Sequence, residues 1–162
     1  MTREEFEQLV AEEFSNAVPK QFRSLIKNVA FLVEDEPDAA TRKEEGLRAN
    51  ETLLGLYRGI PATARGDFYG VGATLPDTIT LFQNPILDEA AELLRRQAGE
   101  RVRSGPLGQV LPSFTRPGGF GACVRRVVRA TIWHEVAHHF GYDEHQVRAK
   151  EEKRNKHKPE GQ

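Results

Sequence analysis

The sequence predicts an α+β fold, in which short strands pack with several helices. Apolar residues recur at helical spacing near the start of the chain, around residue 90 and again from residue 122 onward. Between these segments lie three short runs rich in β-branched and aromatic residues, at 28–34, 52–61 and 77–82. Short strands combined with separate helices are typical of the α+β class.

Length and composition predict one domain without a strong overall charge. The 162 residues fit a single domain over 1–162. The net charge is −1, with 29% charged and 38% hydrophobic residues, so a nucleic acid partner is not favoured. The single cysteine, Cys123, excludes an internal disulfide and fits a reducing compartment. No run approaches the roughly 18 apolar residues of a membrane span, so we expect a cytoplasmic protein without a membrane partner. We also expect it to be a monomer.

The first helix is indicated by its cap. Thr2 followed by Glu5 matches a capping box, in which each side chain binds the backbone N–H of the other residue. Apolar residues then fall at helical spacing, so the pattern predicts a helix over Arg3–Ala17 with one buried face. Pro19 predicts the start of a short second turn.

The strands and the next helix follow in order along the chain. The run 28–34 predicts a buried strand, and the polar stretch 38–51 predicts a loop or a weak helix. Residues 52–61 predict a second strand that ends in a turn. The run 77–82 alternates most clearly between polar and apolar residues, which predicts a third strand. After a proline-containing break, residues 86–97 predict a helix with one apolar face.

The last third of the chain combines a long loop with two helices. Residues 99–121 are rich in glycine and proline and predict a loop that could rim a cleft. A helix is predicted from Ala122, with an apolar face that places it in the core. Asp143 and Gln146 predict the cap of a final helix, and we expect its charged end, over 148–162, to fray as a tail.

The helix that begins near residue 122 carries the motif H-E-x-x-H at His134, Glu135 and His138. Residues four apart on a helix lie above one another, so the two imidazoles can hold one metal ion from the same face. Glu135 lies about 100° round the helix, where its carboxylate can take a proton from a metal-activated water. Gly141 is placed to end the helix, because glycine accepts the left-handed conformation that turns a chain back. The motif therefore predicts a zinc hydrolase with Glu135 as the catalytic residue.

A third metal ligand should follow the glycine. Two histidines leave a tetrahedral zinc ion short of one protein ligand, and the next side chains able to supply it are Asp143, Glu144 and His145. Asp143 is better used as a helix cap, and His145 points about 100° away from Glu144. The helix dipole also keeps a carboxylate at this position ionised. These arguments favour Glu144 but leave the other two open.

The pattern H-E-x-x-H-x-x-G-x-x-E, which ends at Glu144, resembles the metzincin arrangement with a glutamate in place of the third histidine. Over residues 131–146 the chain is still more similar to the bacterial minimal zincin family of zinc metallopeptidases, whose core is like that of matrix metalloproteases. The resemblance implies a zincin-like fold with a small mixed sheet and an active-site helix. It also implies zinc held by His134, His138 and Glu144, with Glu135 as general base and a peptide or protein as substrate.

The chain departs from two related arrangements. Metzincins have a methionine turn beneath the metal, whereas the only methionine here is Met1. Gluzincins take a glutamate from a helix well downstream, and the only distant candidate, Glu160, lies in the charged tail. Glu144 is therefore still the expected third ligand.

The function predicted from these residues is that of a zinc-dependent metallopeptidase. Two alternatives stay open: a metal-binding module without proteolysis, and a metal-dependent RNA endonuclease, whose bacterial form uses three histidines and lacks the paired glutamate. By analogy with zincins, the strand at 78–82 is either the edge that pairs with an extended substrate or a purely structural strand. His139, one step off the ligand face, is expected to lie behind the ligands or to face solvent.

Overall fold

The computed structural model describes residues 1–66, 75–97 and 119–156. Its helices are α1 (Arg3–Ala17), α2 (Lys20–Arg23), α3 (Ala39–Glu44), α4 (Gln83–Gln97), α5 (Phe120–His139) and α6 (Glu144–Lys156), and its strands are β1 (Val29–Glu34), β2 (Gly55–Arg58) and β3 (Asp77–Phe82). A single 3₁₀ turn, Ala62–Ala64, lies in the described part of the connection between β2 and β3.

The three strands in the described part of the chain form one mixed sheet in the order β1-β3-β2. β1 runs parallel to β3, and β2 runs antiparallel to it. In the centre of the sheet, Ile79 pairs with Phe31 on one side and with Tyr57 on the other. The predicted α+β fold with a small mixed sheet is confirmed.

α5 is the central helix of the core. It contacts α1, α4, α6, β2 and β3. Its buried apolar residues repeat at spacings of three and four and therefore share one face: Cys123, Val124, Val127, Val128, Ile132 and Val136. Burying a valine or isoleucine side chain stabilises a fold by roughly 1.5–3 kcal/mol. This packing fixes α5 and so determines which way its remaining side chains point.

Both predicted capping boxes are present. Thr2 Oγ1 accepts a hydrogen bond from the Glu5 N–H at 3.2 Å, and the Glu5 carboxylate accepts one from the Thr2 N–H at 2.8 Å. At the start of α6, Asp143 Oδ1 accepts from the Gln146 N–H at 2.8 Å, and Gln146 Oε1 accepts from the Asp143 N–H at 3.0 Å. These interactions involve residues three apart, which is why the local sequence predicts them well.

Two predictions about the strands are wrong. β1 is not buried, because it lies at an edge of the sheet, and its Leu32 is 43% exposed. β3 is the central strand, and five of its six residues are buried, so it is covered on both faces. Because β3 is hydrogen-bonded to a strand on each side, residues 78–82 offer no free edge to a substrate. The substrate edge predicted there is therefore also wrong.

The helix bounds differ from the prediction in smaller ways. α4 begins at Gln83, before the expected start at residue 86, because Pro85 falls in the first turn of a helix, where no N–H is required. The loop predicted at 99–121 lies almost entirely outside the described residues. α6 continues to Lys156, and the rest of the expected tail is likewise outside them. None of the described helices is both long enough and apolar enough to cross a membrane.

Candidate metal centre

The last two turns of α5 present His134 and His138 on one face. Their ring centroids lie 5.0 Å apart, as the four-residue spacing predicts. They share a face with the buried Val127 and Thr131, which lie seven residues earlier, but at the end of α5 this face is only partly covered. Each histidine is 26% exposed, which leaves a ring nitrogen accessible while the packing limits how the ring can move.

Gly141 ends α5 and reverses the chain. Its φ of +84° lies in the left-handed region that favours glycine. The Gly141 N–H donates to the His138 carbonyl at 2.8 Å, and the Tyr142 N–H donates to the Ala137 carbonyl at 3.1 Å. This pair of bonds is the Schellman motif, which satisfies the last carbonyls of a helix. The turn leads directly into α6 and brings the first residue of that helix back towards the two histidines.

The Glu144 carboxylate contacts both histidines. Its Oε2 atom lies 3.2 Å from His134 Nε2 and 3.4 Å from His138 Nε2. One potential ligand atom from each of the three residues lies within 4.8 Å of the others. In a tetrahedral zinc site with bonds of about 2.0–2.1 Å, neighbouring ligand atoms are about 3.3 Å apart. The two separations from Glu144 Oε2 are close to that value and the third is no more than 4.8 Å, so the three side chains could converge on one zinc ion.

The backbone orients one of the two imidazoles. His138 Nδ1 lies 2.9 Å from the Tyr142 carbonyl oxygen, so Nδ1 carries the proton and donates it. In the neutral form of the ring the lone pair is then on Nε2, which faces Glu144. Metal-binding histidines commonly have such a partner on the second nitrogen, because it fixes both the tautomer and the ring plane.

Electrostatics keep Glu144 ionised. Burial raises the pKa of its carboxyl group, but the hydrogen bond from Arg148 and the nearby His134 and His138 together lower it below its ordinary value. The Arg148 contact, at 2.8 Å, uses Oε1 and leaves Oε2 facing the histidines. A carboxylate must be ionised to bind zinc.

The two other candidates for the third ligand, Asp143 and His145, lie outside this group. The Asp143 carboxylate caps α6, as its sequence position predicts. His145 is exposed and does not belong to the group formed by His134, His138 and Glu144. The arrangement of the described residues therefore favours Glu144 among the three candidates that the sequence leaves open.

Glu135 lies beside this group but is not part of it. Its side chain is only 7% exposed and lies against β2, where the Tyr57 backbone N–H binds its carboxylate. Burial is the main effect that raises the pKa of Glu135 to about 7, against the opposing influences of His134 and the Tyr57 N–H. A pKa near neutrality suits a group that must accept a proton and later return it.

Gly55 makes this position of Glu135 possible. A Cβ atom at Gly55 would lie 2.9 Å from Glu135 Cγ and 2.7 Å from Thr131 Cγ2, closer than real Cβ contacts. The absence of a side chain allows α5 to approach the β2 backbone closely. A glycine inside a strand is a known signal of such an approach, so the sequence contained this information even though we did not use it.

One protein-family model matches the part of the chain that contains the sheet. Residues 26–107, slightly more than half of the chain, match the family model described as zincin-like metallopeptidase. The chain belongs to the zincin-like metallopeptidase family. The matched region contains β1 to α4 and ends before α5 and α6. No curated protein is similar enough to this zincin-like chain to count as a match.

Family membership and local geometry therefore bear on different parts of this zincin-like protein. The family implies a metal ion, typically zinc. The group of His134, His138 and Glu144, which lies outside the matched residues, is a place where the chain could hold one. Because the two observations come from separate stretches of sequence, neither depends on the other.

A buried polar cluster behind the ligands was not predicted. The buried Asp77 carboxylate contacts the Tyr57 hydroxyl, the Arg65 guanidinium and His139 Nδ1. His139 is 1% exposed, so it lies behind the ligands and the alternative that it faces solvent is wrong. Burial lowers the pKa of His139, as does the Arg65 charge, while Asp77 acts in the opposite direction. We find no local sequence signal for this cluster, since its members come from three separate regions of the chain.

Proposed function

We propose that this zincin-like protein is a zinc-dependent peptidase that uses Glu135 as general base and His134, His138 and Glu144 as metal ligands. One observation supports the proposal most strongly. Three potential ligand atoms lie within 4.8 Å of one another, and a second, buried carboxylate, that of Glu135, lies next to them without belonging to the group. That combination supplies both a metal site and a separate proton acceptor.

The chemistry divides between the metal and the protein. Zinc, when bound, supplies a Lewis acid that activates a water for attack and polarises the scissile carbonyl. Glu135 takes the proton of the attacking water and then delivers it to the leaving nitrogen as the peptide bond breaks. Its contacts with β2 hold the carboxylate in place between these two transfers.

The outer edge of β2 is the better candidate for substrate pairing. In the antiparallel ladder with β3, the Phe82 N–H donates to the Leu54 carbonyl, so by alternation Gly55 and Tyr57 direct their backbone groups away from β3. The Tyr57 N–H does face outward, since it binds Glu135. An extended peptide added to this edge would therefore pass beside the proposed base.

The test combines zinc analysis with cleavage of a peptide library by the wild type and by Glu135→Gln. We expect one zinc per chain in both proteins and a fall in kcat of about 10²–10⁴-fold in the variant, the usual contribution of a general base. Glu152→Gln makes the same chemical change on an exposed part of α6 and should leave kcat unchanged.

Three outcomes would overturn the proposal. Bound zinc without any Glu135-dependent peptide cleavage would favour a metal-binding module. Cleavage of structured RNA instead of peptides would favour a nuclease. Loss of zinc from Glu135→Gln would make Glu135 a ligand and not a base. The monomeric state and the cytoplasmic location expected from the sequence stay predictions, which sedimentation and cell fractionation can test.

A further inference from the structure

Asp77, the first residue of β3, is a buried carboxylate whose contacts join three parts of the chain. It is 4% exposed. Its Oδ2 accepts a hydrogen bond from the Tyr57 hydroxyl at 2.8 Å and forms an ion pair with Arg65. Its Oδ1 accepts from the Ile60 N–H at 3.4 Å. A buried carboxylate is costly unless it is paired in this way, so these contacts are needed to keep Asp77 where it is.

The same carboxylate reaches the helix that carries the proposed ligands. Asp77 Oδ2 lies 3.2 Å from His139 Nδ1, and Arg65 Nη2 lies 3.3 Å from the same nitrogen. The Tyr57 ring also packs edge-on against the His139 ring, with centroids 5.7 Å apart. His139 directly follows the proposed ligand His138, so these contacts fix the last turn of α5 from the side opposite the metal.

The segment 59–65 extends this support to the turn at the end of α5. A Cβ atom at Gly59 would overlap the Asp77 side chain, so the segment begins in close contact with the carboxylate. A Cβ atom at Gly141 would overlap Thr63 Oγ1, so the middle of the segment packs against the turn. That turn determines where Glu144 lies relative to the two histidines.

We propose that Asp77, together with Arg65 and Tyr57, is a positioning group that sets the geometry of the metal site through His139 and the Gly141 turn. The inference rests on the proposed metal site, because it assigns a role to residues that touch no ligand atom themselves. Functional constellations require their members to be held to about 0.5 Å. Residues behind the ligands typically contribute 10–100-fold to metal affinity.

The deciding variant is Asp77→Asn, which keeps the size of the side chain and removes its charge. Zinc affinity is measured by competition with a chromophoric chelator. Ligand geometry is measured from the visible absorption spectrum of the Co²⁺-substituted protein. We expect zinc binding about 10–100-fold weaker than that of the wild type, with an altered Co²⁺ spectrum.

Glu13, on α1, provides a matched control, because its carboxylate also contacts α5. It is a buried carboxylate, 3% exposed, and it pairs with Arg125 at 2.8 Å and with Arg129 at 2.9 Å. Those contacts join α1 to α5 far from the histidines. Glu13→Gln should lower the unfolding temperature as Asp77→Asn does, but it should leave the zinc affinity and the Co²⁺ spectrum unchanged. A merely structural role for Asp77 would make the two variants behave alike.

Tyr57→Phe tests the same inference if Asp77→Asn does not fold. It removes one hydrogen bond to Asp77 and keeps the ring and the backbone N–H. We expect zinc binding about threefold to tenfold weaker, in line with the loss of one buried hydrogen bond.

Each outcome points to a separate conclusion. Wild-type affinity and spectrum in the folded variants, or an equal loss of affinity in Glu13→Gln, would overturn the positioning role alone. A wild type that binds zinc without cleaving peptides would overturn the peptidase but not this inference. A wild type that fails to bind zinc would overturn both.

Discussion

Glu13 and Glu135 bury their carboxylates at opposite ends of α5, yet their surroundings differ completely. Glu13, on α1, is 3% exposed and lies between Arg125 and Arg129. Glu135 is 7% exposed, and the described residues place no arginine or lysine in contact with it. Its hydrogen-bond donor is the backbone N–H of Tyr57, and its pKa is raised by burial to about 7.

The difference separates a carboxylate with a packing role from the proposed general base. Glu13 pairs with two arginines and joins two helices, so it contributes to packing. Among the described residues, no arginine or lysine pairs with Glu135, so its charged form is less favoured and proton transfer at neutral pH becomes accessible. Burial of a glutamate alone therefore indicates no function, whereas burial without an arginine or lysine partner, beside a candidate metal centre, makes Glu135 a candidate general base.

Of the variants that test this comparison, His134→Ala should have the largest effect on zinc affinity. The variant removes one of the three proposed ligands, so zinc affinity should fall by more than the 10–100-fold typical of residues behind the ligands. His134 is 26% exposed, and we expect the metal-free protein to keep its unfolding temperature. Calorimetric zinc titration and thermal unfolding measure the two quantities. Unchanged zinc affinity would mean that His134 is not a zinc ligand, and Glu135 would then not lie beside a metal site.

Gly141→Ala should weaken both the stability of the fold and the proposed metal site. The alanine must adopt a φ of +84° and its Cβ overlaps Thr63, so the free energy of unfolding should fall by about 1–3 kcal/mol. Because the turn positions Glu144, zinc affinity should fall as well. Chemical denaturation in the presence of a chelator, compared with a zinc titration, separates the two losses. A loss of stability with wild-type zinc affinity would show that Glu144 is not positioned by this turn.

Val128→Ala changes the buried apolar face of α5 and leaves the candidate metal site unaltered. Val128 is fully buried, and removing the equivalent of two methylene groups should lower the free energy of unfolding by about 1.6 kcal/mol. The zinc affinity of the folded protein should not change, because Val128 lies more than one helical turn before His134. Denaturant midpoints and zinc titrations test both statements. A weaker metal site in this variant would mean that the two ends of the helix are coupled.

Arg148→Ala should have the smallest effect. The Arg148–Glu144 contact is exposed on both sides, with 71% and 50% of the side chains accessible, and such pairs contribute about 0–1 kcal/mol. We expect zinc affinity within about fivefold of wild type, which corresponds to the same range. The titration should be repeated at high salt, where any difference should become smaller. A large loss would mean that Arg148 is needed to position the ligand.

The parts of the structure that the sequence predicts well depend on short separations along the chain. The H-E-x-x-H spacing places His134 and His138 on one helical face, and Gly141 marks the bend that brings Glu144 back. The capping box of α1 depends equally on residues three apart. In each case one helical turn or one backbone conformation determines the outcome, so no knowledge of the rest of the fold is required.

The parts that could not be predicted depend on long-range pairing. The alternation in 77–82 identifies a strand but does not say which strands will flank it, so the central position of β3 was missed. Asp77, Arg65 and His139 are brought together only after β3, the preceding loop and α5 have packed. An aspartate at the start of a strand and an arginine in a loop are individually ordinary, and neither indicates the other.

The proposed ligands all belong to one continuous stretch, residues 134–144, closed by a single glycine bend. Bringing them together requires only a short loop to close, which has a small entropic cost. The partners of Glu135, in contrast, come from a distant strand. A divalent ion could therefore bind while the sheet is still undocked and act as an early cross-link between two helices. On unfolding we expect the reverse order, in which any Glu135-dependent activity is lost before the ion is released.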